Sequence, residues 1–96
     1  MVSATVRIET GGGLHLRPTG VLCNTAMKYK SSIRFRTGDV TANAKSVLSV
    51  LGACIGPGDE VTFICEGEDE EEALNGILDI IRKGLKDEEN EKRELD

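Results

Sequence analysis

The chain has 96 residues, of which 39% are apolar and only 3% aromatic, enough for one aliphatic core and not for two. Twelve basic against seventeen acidic residues give a net charge of -5. That balance argues against a nucleic-acid partner, because phosphate backbones are met by concentrated basic surface.

Val2, Ala4, Val6 and Ile8 alternate with Ser3, Thr5, Arg7 and Glu9, the pattern of a strand with one covered face. No basic-then-apolar leader precedes it, and no later run is long enough to span a membrane. Gly11-Gly12-Gly13 ends the strand and lets the backbone turn or approach a ligand closely. Pro18 suits a first helical turn, and Val21, Leu22, Ala26 and Tyr29 carry helical spacing to about Lys30. Ile33 and Phe35 mark a second strand, Thr37-Gly38-Asp39 a turn, and Val40 to Asn43 a third strand, together a hairpin. Ser46 is placed to cap a helix whose apolar stripe is Val47, Val50, Leu51 and Cys54, with Leu48 off the stripe. Gly56-Pro57-Gly58 breaks the chain before a fourth strand with Val61, Phe63 and Cys65 inward. Leu74, Ile77, Leu78, Ile81 and Leu85 form the stripe of the last helix, with acids at its start, Arg82 and Lys83 near its end, and Gly84 as its stop.

The order is strand, helix, strand, strand, helix, strand, helix (βαββαβα). Strands with one covered face predict an α+β open-faced β-sandwich, a four-stranded, mainly antiparallel sheet with three helices on one face. Residues 1–85 make the domain. Residues 86–96 carry six acids against three bases and only Leu95 as an apolar side chain, and are expected to form a flexible acidic tail.

The only histidine, His15, lies between the glycines and the first helix. One reading makes it a surface or capping residue. Its neighbours favour another. A helix N-terminus offers N–H groups and a positive dipole end to an anion, and Arg17 adds a guanidinium fork that matches phosphate oxygens. A neutral imidazole nitrogen there could take a phosphoryl group without a cofactor. Metal binding is a poorer account, since a site needs three or four ligands and there is no second histidine. Cys23, Cys54 and Cys65 have no paired spacing, which fits a reducing compartment, and they read as small apolar fillers, Cys54 and Cys65 on core faces. The glycine run matches neither G-x-x-x-x-G-K-[ST] nor G-x-G-x-x-G, so it is no nucleotide loop.

Gly13-Leu14-His15-Leu16-Arg17-Pro18 resembles the G-L-H-x-R-P signature of HPr, the histidine phosphocarrier family of the bacterial sugar phosphotransferase system. Asn43-Ala44-Lys45-Ser46-Val47-Leu48 resembles the family's second signature, around a regulatory serine, and the likeness runs over about residues 2 to 85. The resemblance implies a cytoplasmic carrier, not an enzyme with its own turnover. It would accept a phosphoryl group from phospho-enzyme I on Nδ1 of His15 and pass it to enzyme IIA domains of sugar transporters. Arg17 would steady the group, and Gly13, Leu16 and Pro18 would form the phosphate-facing loop and helix start, Gly13 and Pro18 as structural parts of that junction. Ser46 would be both a cap and a target of HPr kinase/phosphorylase, with a catabolite-control transcription factor as a further partner. Leu16, Val47, Leu48 and Leu51 would make an apolar docking patch, although core packing is the stronger expectation for Val47 and Leu51.

Some positions depart from the family's common forms. Leu16 stands where alanine or threonine is common, Thr19-Gly20 where two alanines are, and Met27 where lysine is frequent, so the partner-facing helix is less basic. Two rivals stand beside the carrier. One is a regulatory HPr-like paralogue that docks to a kinase, a transcription factor or a metabolic enzyme. The other is a small ligand-binding module in which His15 is incidental. A chain this small is expected to be monomeric.

Overall fold

Alternation decides which face of each strand is covered, and the result is a sheet with one dry side. A computed structural model describes residues 1–85; the acidic segment 86–96 lies outside the described residues. The elements are β1 (Val2–Arg7), α1 (Leu16–Met27), β2 (Ser32–Thr37), β3 (Val40–Asn43), α2 (Val47–Gly52), β4 (Glu60–Glu66) and α3 (Glu70–Arg82). The sheet order is β1-β4-β2-β3, and every pairing is antiparallel. The expected open-faced α+β arrangement is therefore the one found.

The core lies between the sheet and the helices. Ile33, Phe35, Val61, Phe63 and Cys65 of the central strands form one cluster with Leu22 and Ala26 of α1, Val50 of α2, and Ala73 and Ile77 of α3. Phe35 and Phe63, the chain's two phenylalanines, are cross-strand partners and almost wholly covered. Each contributes about 1.5–3 kcal/mol by burial.

Helix α1 ends earlier than its apolar spacing suggests. The amides of Lys28 and Tyr29 bond to the carbonyls of Thr25 and Ala26, a tightened last turn. The next two amides, of Lys30 and Ser31, donate to the Asp69 carboxylate at 2.9 Å each, and Ser31 Oγ donates to it as well. Those bonds hold the Asp69 carboxyl down from 3.8 to about 2, the Ser31 hydroxyl contributing most. Asp69 thus ties the α1–β2 turn to the start of α3, where it occupies the N-cap position without capping through its side chain. Farther along α3, Gly76 lets the Tyr29 ring lie against the helix, because any Cβ there would overlap the phenol. Gly84 (φ +80) ends α3 as expected, with its amide on Ile81 and that of Leu85 on Ile80.

Helix α2 is shorter than predicted. It stops at Gly52, and Cys54 turns into the left-handed region (φ +53), which takes its thiol out to solvent. The placement of Cys54 on a core face is therefore wrong. Cys23 and Cys65 are buried, and burial pushes both thiols up. No described helix is long and apolar enough to cross a membrane.

Candidate functional site

His15 sits at the N-cap of α1 in extended backbone (φ -81, ψ -170), is exposed, and makes no side-chain capping bond. The ring is thus not spent on holding the helix. Its Cδ2–Nε2 edge lies beside Gly12: a Cβ on that glycine would stand 3.1 Å from Cδ2 and 3.6 Å from Nε2, with Nδ1 beyond 4 Å. Gly12 has φ +80, so both its conformation and its bareness serve this approach.

The loop that carries the ring is anchored from below. The Leu14 amide donates to the Ile55 carbonyl at 2.9 Å, and the Gly13 amide donates to Thr10 at 2.8 Å. Thr19, fully buried, donates its hydroxyl to the Leu14 carbonyl at 3.0 Å while its amide closes the first helical turn on His15. The 55–59 turn is itself stiffened by Asp59, whose carboxylate accepts the Gly56 amide and whose backbone carbonyl accepts Ile8. Gly13 is buried against Ile55 with its amide engaged, and Pro18 is buried and has no N–H to offer. Both shape the junction from within. Leu16, at the first helical position, is 69% exposed, and Arg17 follows it in the same exposed turn, where the helix dipole favours an anion. Among the described residues no cluster of His, Cys, Asp and Glu is arranged to hold a metal ion.

Two bonds set the direction of α2 against α1. Ile55, just past α2, holds the start of α1 through Leu14, whereas Lys45, just before α2, donates its Nζ to the carbonyl of Tyr29 past the end of α1 at 2.8 Å. The helices run antiparallel, so Leu51 lies toward the His15 end and Ser46 toward the other, separated by about 7.5 Å of helix rise. Ser46 Oγ accepts the Ser49 amide at 3.2 Å and caps α2 as predicted. Val47, Leu48 and Leu51 fall on one side of this short helix by their i, i+3 and i, i+4 spacing. Leu48 is 83% exposed and Val47 38%, while Leu51 is half-buried. Core packing belongs instead to Val50. Sequence reasoning missed Thr19, Ile55 and Asp59; of these only Asp59, after Gly-Pro-Gly, carried a local turn signal.

Residues 2–83 match the family model described as "PTS HPr component phosphorylation site". The chain belongs to the HPr family. A phosphocarrier protein HPr of Mycoplasma pneumoniae is 36% identical over 84 residues, 86% of this chain and 96% of the relative. An HPr-like protein Crh of Halalkalibacterium halodurans is 32% identical over 83 residues, 86% of this chain and 99% of the relative. Among solved structures, HPr of Thermoanaerobacter tengcongensis superposes with a TM-score of 0.86 at 33% identity, covering 88% of this chain and 96% of that one. The histidine-containing phosphocarrier protein of a mycoplasma gives 0.82 at 30%, covering 88% and 97%. This HPr-family chain therefore shares both fold and phosphocarrier kinship with its relatives over the described domain.

Proposed function

We propose that residues 1–85 form a cytoplasmic phosphocarrier domain that accepts a phosphoryl group from phospho-enzyme I on Nδ1 of His15 and passes it to enzyme IIA. The observation that carries this is an exposed, uncapping imidazole held at a helix N-terminus by an anchored loop. Nδ1 is the ring nitrogen remote from Gly12, which supports its choice as acceptor. In the transfer a bond forms from Nδ1 to phosphorus as the bond to enzyme I breaks, and Arg17 and the helix dipole offset the charge. Such a step depends on positioning and charge neutralisation, so the chain is a relay component and not a catalyst with turnover. Leu16, Val47, Leu48 and Leu51 form the apolar surface that partners cover. Ser46 is a regulatory phosphorylation site whose added charge of about -2 opposes enzyme I docking.

Intact mass after incubation with phosphoenolpyruvate, magnesium and an enzyme I tests this, beside His15→Ala. One acid-labile phosphoryl group on the native chain and none on the variant is expected. No label with a cognate enzyme I sinks the carrier reading.

A second reading has the similarity to an HPr-like protein Crh in its favour. It makes the chain a regulatory paralogue that acts by docking to a kinase, a transcription factor or a metabolic enzyme. It predicts labelling at Ser46 by an ATP-dependent kinase and none at His15.

A further inference from the structure

Strand β1 is an outer edge of the sheet, paired only with β4. Just past its end the Ile8 amide donates to the Asp59 carbonyl, so the backbone of Ile8 faces the β4 side. Backbone groups of successive residues in an antiparallel strand point to opposite sides. Val2, Ala4 and Val6 therefore direct theirs to β4, and Ser3, Thr5 and Arg7 turn their N–H and C=O groups to the open edge. The far side of the sheet agrees: Ala44 donates to Ile33, which leaves the next residue, Arg34, facing Ile64 of β4. No described residue bonds to the edge groups of Ser3, Thr5 and Arg7.

A groove of about 740 Å³, ample for a ligand, runs along that edge. Ala4, Thr5, Val6 and Arg7 all line it. Side chains of successive strand residues point to opposite faces, so what four in a row share with the groove is the backbone edge. The facing wall is Leu78 and Ile81 of α3, half-buried as Ala4 and Val6 are. The inward residues of the central strands, Ile33, Phe35, Val61, Phe63 and Cys65, are buried by contrast. The cover that α3 gives the sheet thus falls short at β1 and leaves an aliphatic wall beside an unpaired edge. An extended peptide answers both, its backbone completing the edge and alternate side chains packing on the wall. Arg7 and Arg82 line the groove, exposed and in no ion pair with a described residue, against Glu9 as the one carboxylate of the lining. Guanidinium forks match carboxylates. A second copy would bring its own Arg7 to the edge, like charge against like, so an acidic peptide is the better fit.

We propose that the free edge of β1 takes an acidic, extended segment of a partner protein as a fifth strand. Its backbone bonds to Ser3, Thr5 and Arg7, its apolar side chains lie on Leu78 and Ile81, and its carboxylates meet Arg7 and Arg82. β1 and α3 build this surface, whereas α1 and α2 carry His15 and Ser46, so the proposal does not depend on phosphoryl transfer.

The test uses the full-length, nitrogen-15-labelled protein and a blocked peptide in which valine and threonine alternate and two glutamates close one end. Placing the glutamates at either terminus covers both strand directions. At millimolar peptide the amides of Ser3, Thr5 and Arg7 shift and exchange more slowly with solvent. Glutamines in place of the glutamates, or Arg7→Gln/Arg82→Gln, weaken binding about three- to tenfold. N-methylation of the alternate peptide amides that face β1 abolishes binding, and methylation of the other set leaves it intact. Equal binding with either set methylated overturns strand addition, and binding indifferent to the glutamates overturns the acidic occupant. Shifts that appear without peptide as the protein is concentrated assign the edge to a second copy and overturn the proposal. Unmoved edge amides with every peptide overturn it outright.

Discussion

The amide of Leu14 donates to the carbonyl of Ile55 at 2.9 Å, and this bond ties the histidine loop to the chain leaving α2. Gly13, one residue earlier, has φ +72 and rests so close to that carbonyl that a Cβ would overlap it. Gly13→Ala is expected to destabilise the protein by about 1–3 kcal/mol. For a domain of this size that corresponds to a fall in Tm of about 4–8 °C per kcal/mol. Thermal unfolding followed by circular dichroism measures it, and an unchanged Tm would show that the loop yields without cost.

Thr19 offers a milder probe of the same anchor. Its buried hydroxyl donates to the Leu14 carbonyl at 3.0 Å. Thr19→Val keeps the shape and removes the bond, a loss of about 1 kcal/mol. The phosphorylation rate of His15 should fall at temperatures where the variant is fully folded, and Thr19→Ser should restore it. A rate equal to the native one would separate stability from positioning at this loop.

At Ser46 capping and the proposed regulation can be pulled apart by substitution. Ser46→Ala removes the acceptor for the Ser49 amide and costs about 1 kcal/mol. Ser46→Asp keeps an acceptor and adds charge that the helix start favours by about 0.3–1 kcal/mol, so its stability should match or exceed the native protein's. Single-turnover phosphorylation by enzyme I should nonetheless be slower for Ser46→Asp than for Ser46→Ala, with the gap closing as salt screens the charge. Equal rates at low salt would show that charge at Ser46 is not felt on the docking surface.

The sequence made strands and helix order legible because one-faced burial imposes a period of two on β1, β2 and β4 and a period near 3.6 on α3. His15 and Ser46 were legible because each sits at a helix start that local residue types announce. The Asp69–Ser31 contact joins positions 38 residues apart, and no local pattern carries it. Cys54 was misplaced because helical spacing alone does not register a helix that stops at Gly52 and turns left-handed. The anchoring of Gly13 by Ile55 failed to show for a related reason: a glycine's bareness reads as freedom until the atom it makes room for is known.

Asp69 gives the clearest pH dependence. Its carboxylate accepts bonds from the Ser31 hydroxyl and the Lys30 and Ser31 amides, and folding lowers its pKa from 3.8 to about 2. A lowered folded pKa means that the unfolded chain binds the proton more readily, so the contribution is complete above pH 3.8 and is lost as pH falls toward about 2. Asp69→Asn removes the charge and turns one of the two carboxylate oxygens into a donor, set against either the Lys30 amide or the Ser31 amide and hydroxyl. The variant should be less stable at neutral pH, and the difference from the native protein should shrink across that acid window. Glu70 also has a lowered carboxyl, through its bonds to the N-terminal amine and the Gly67 amide, but it is present in both proteins and cancels in the difference. Urea unfolding at a series of pH values reads the gap directly. A gap that stays constant down to pH 2 would mean that the ionised carboxylate is not what joins the α1–β2 turn to α3.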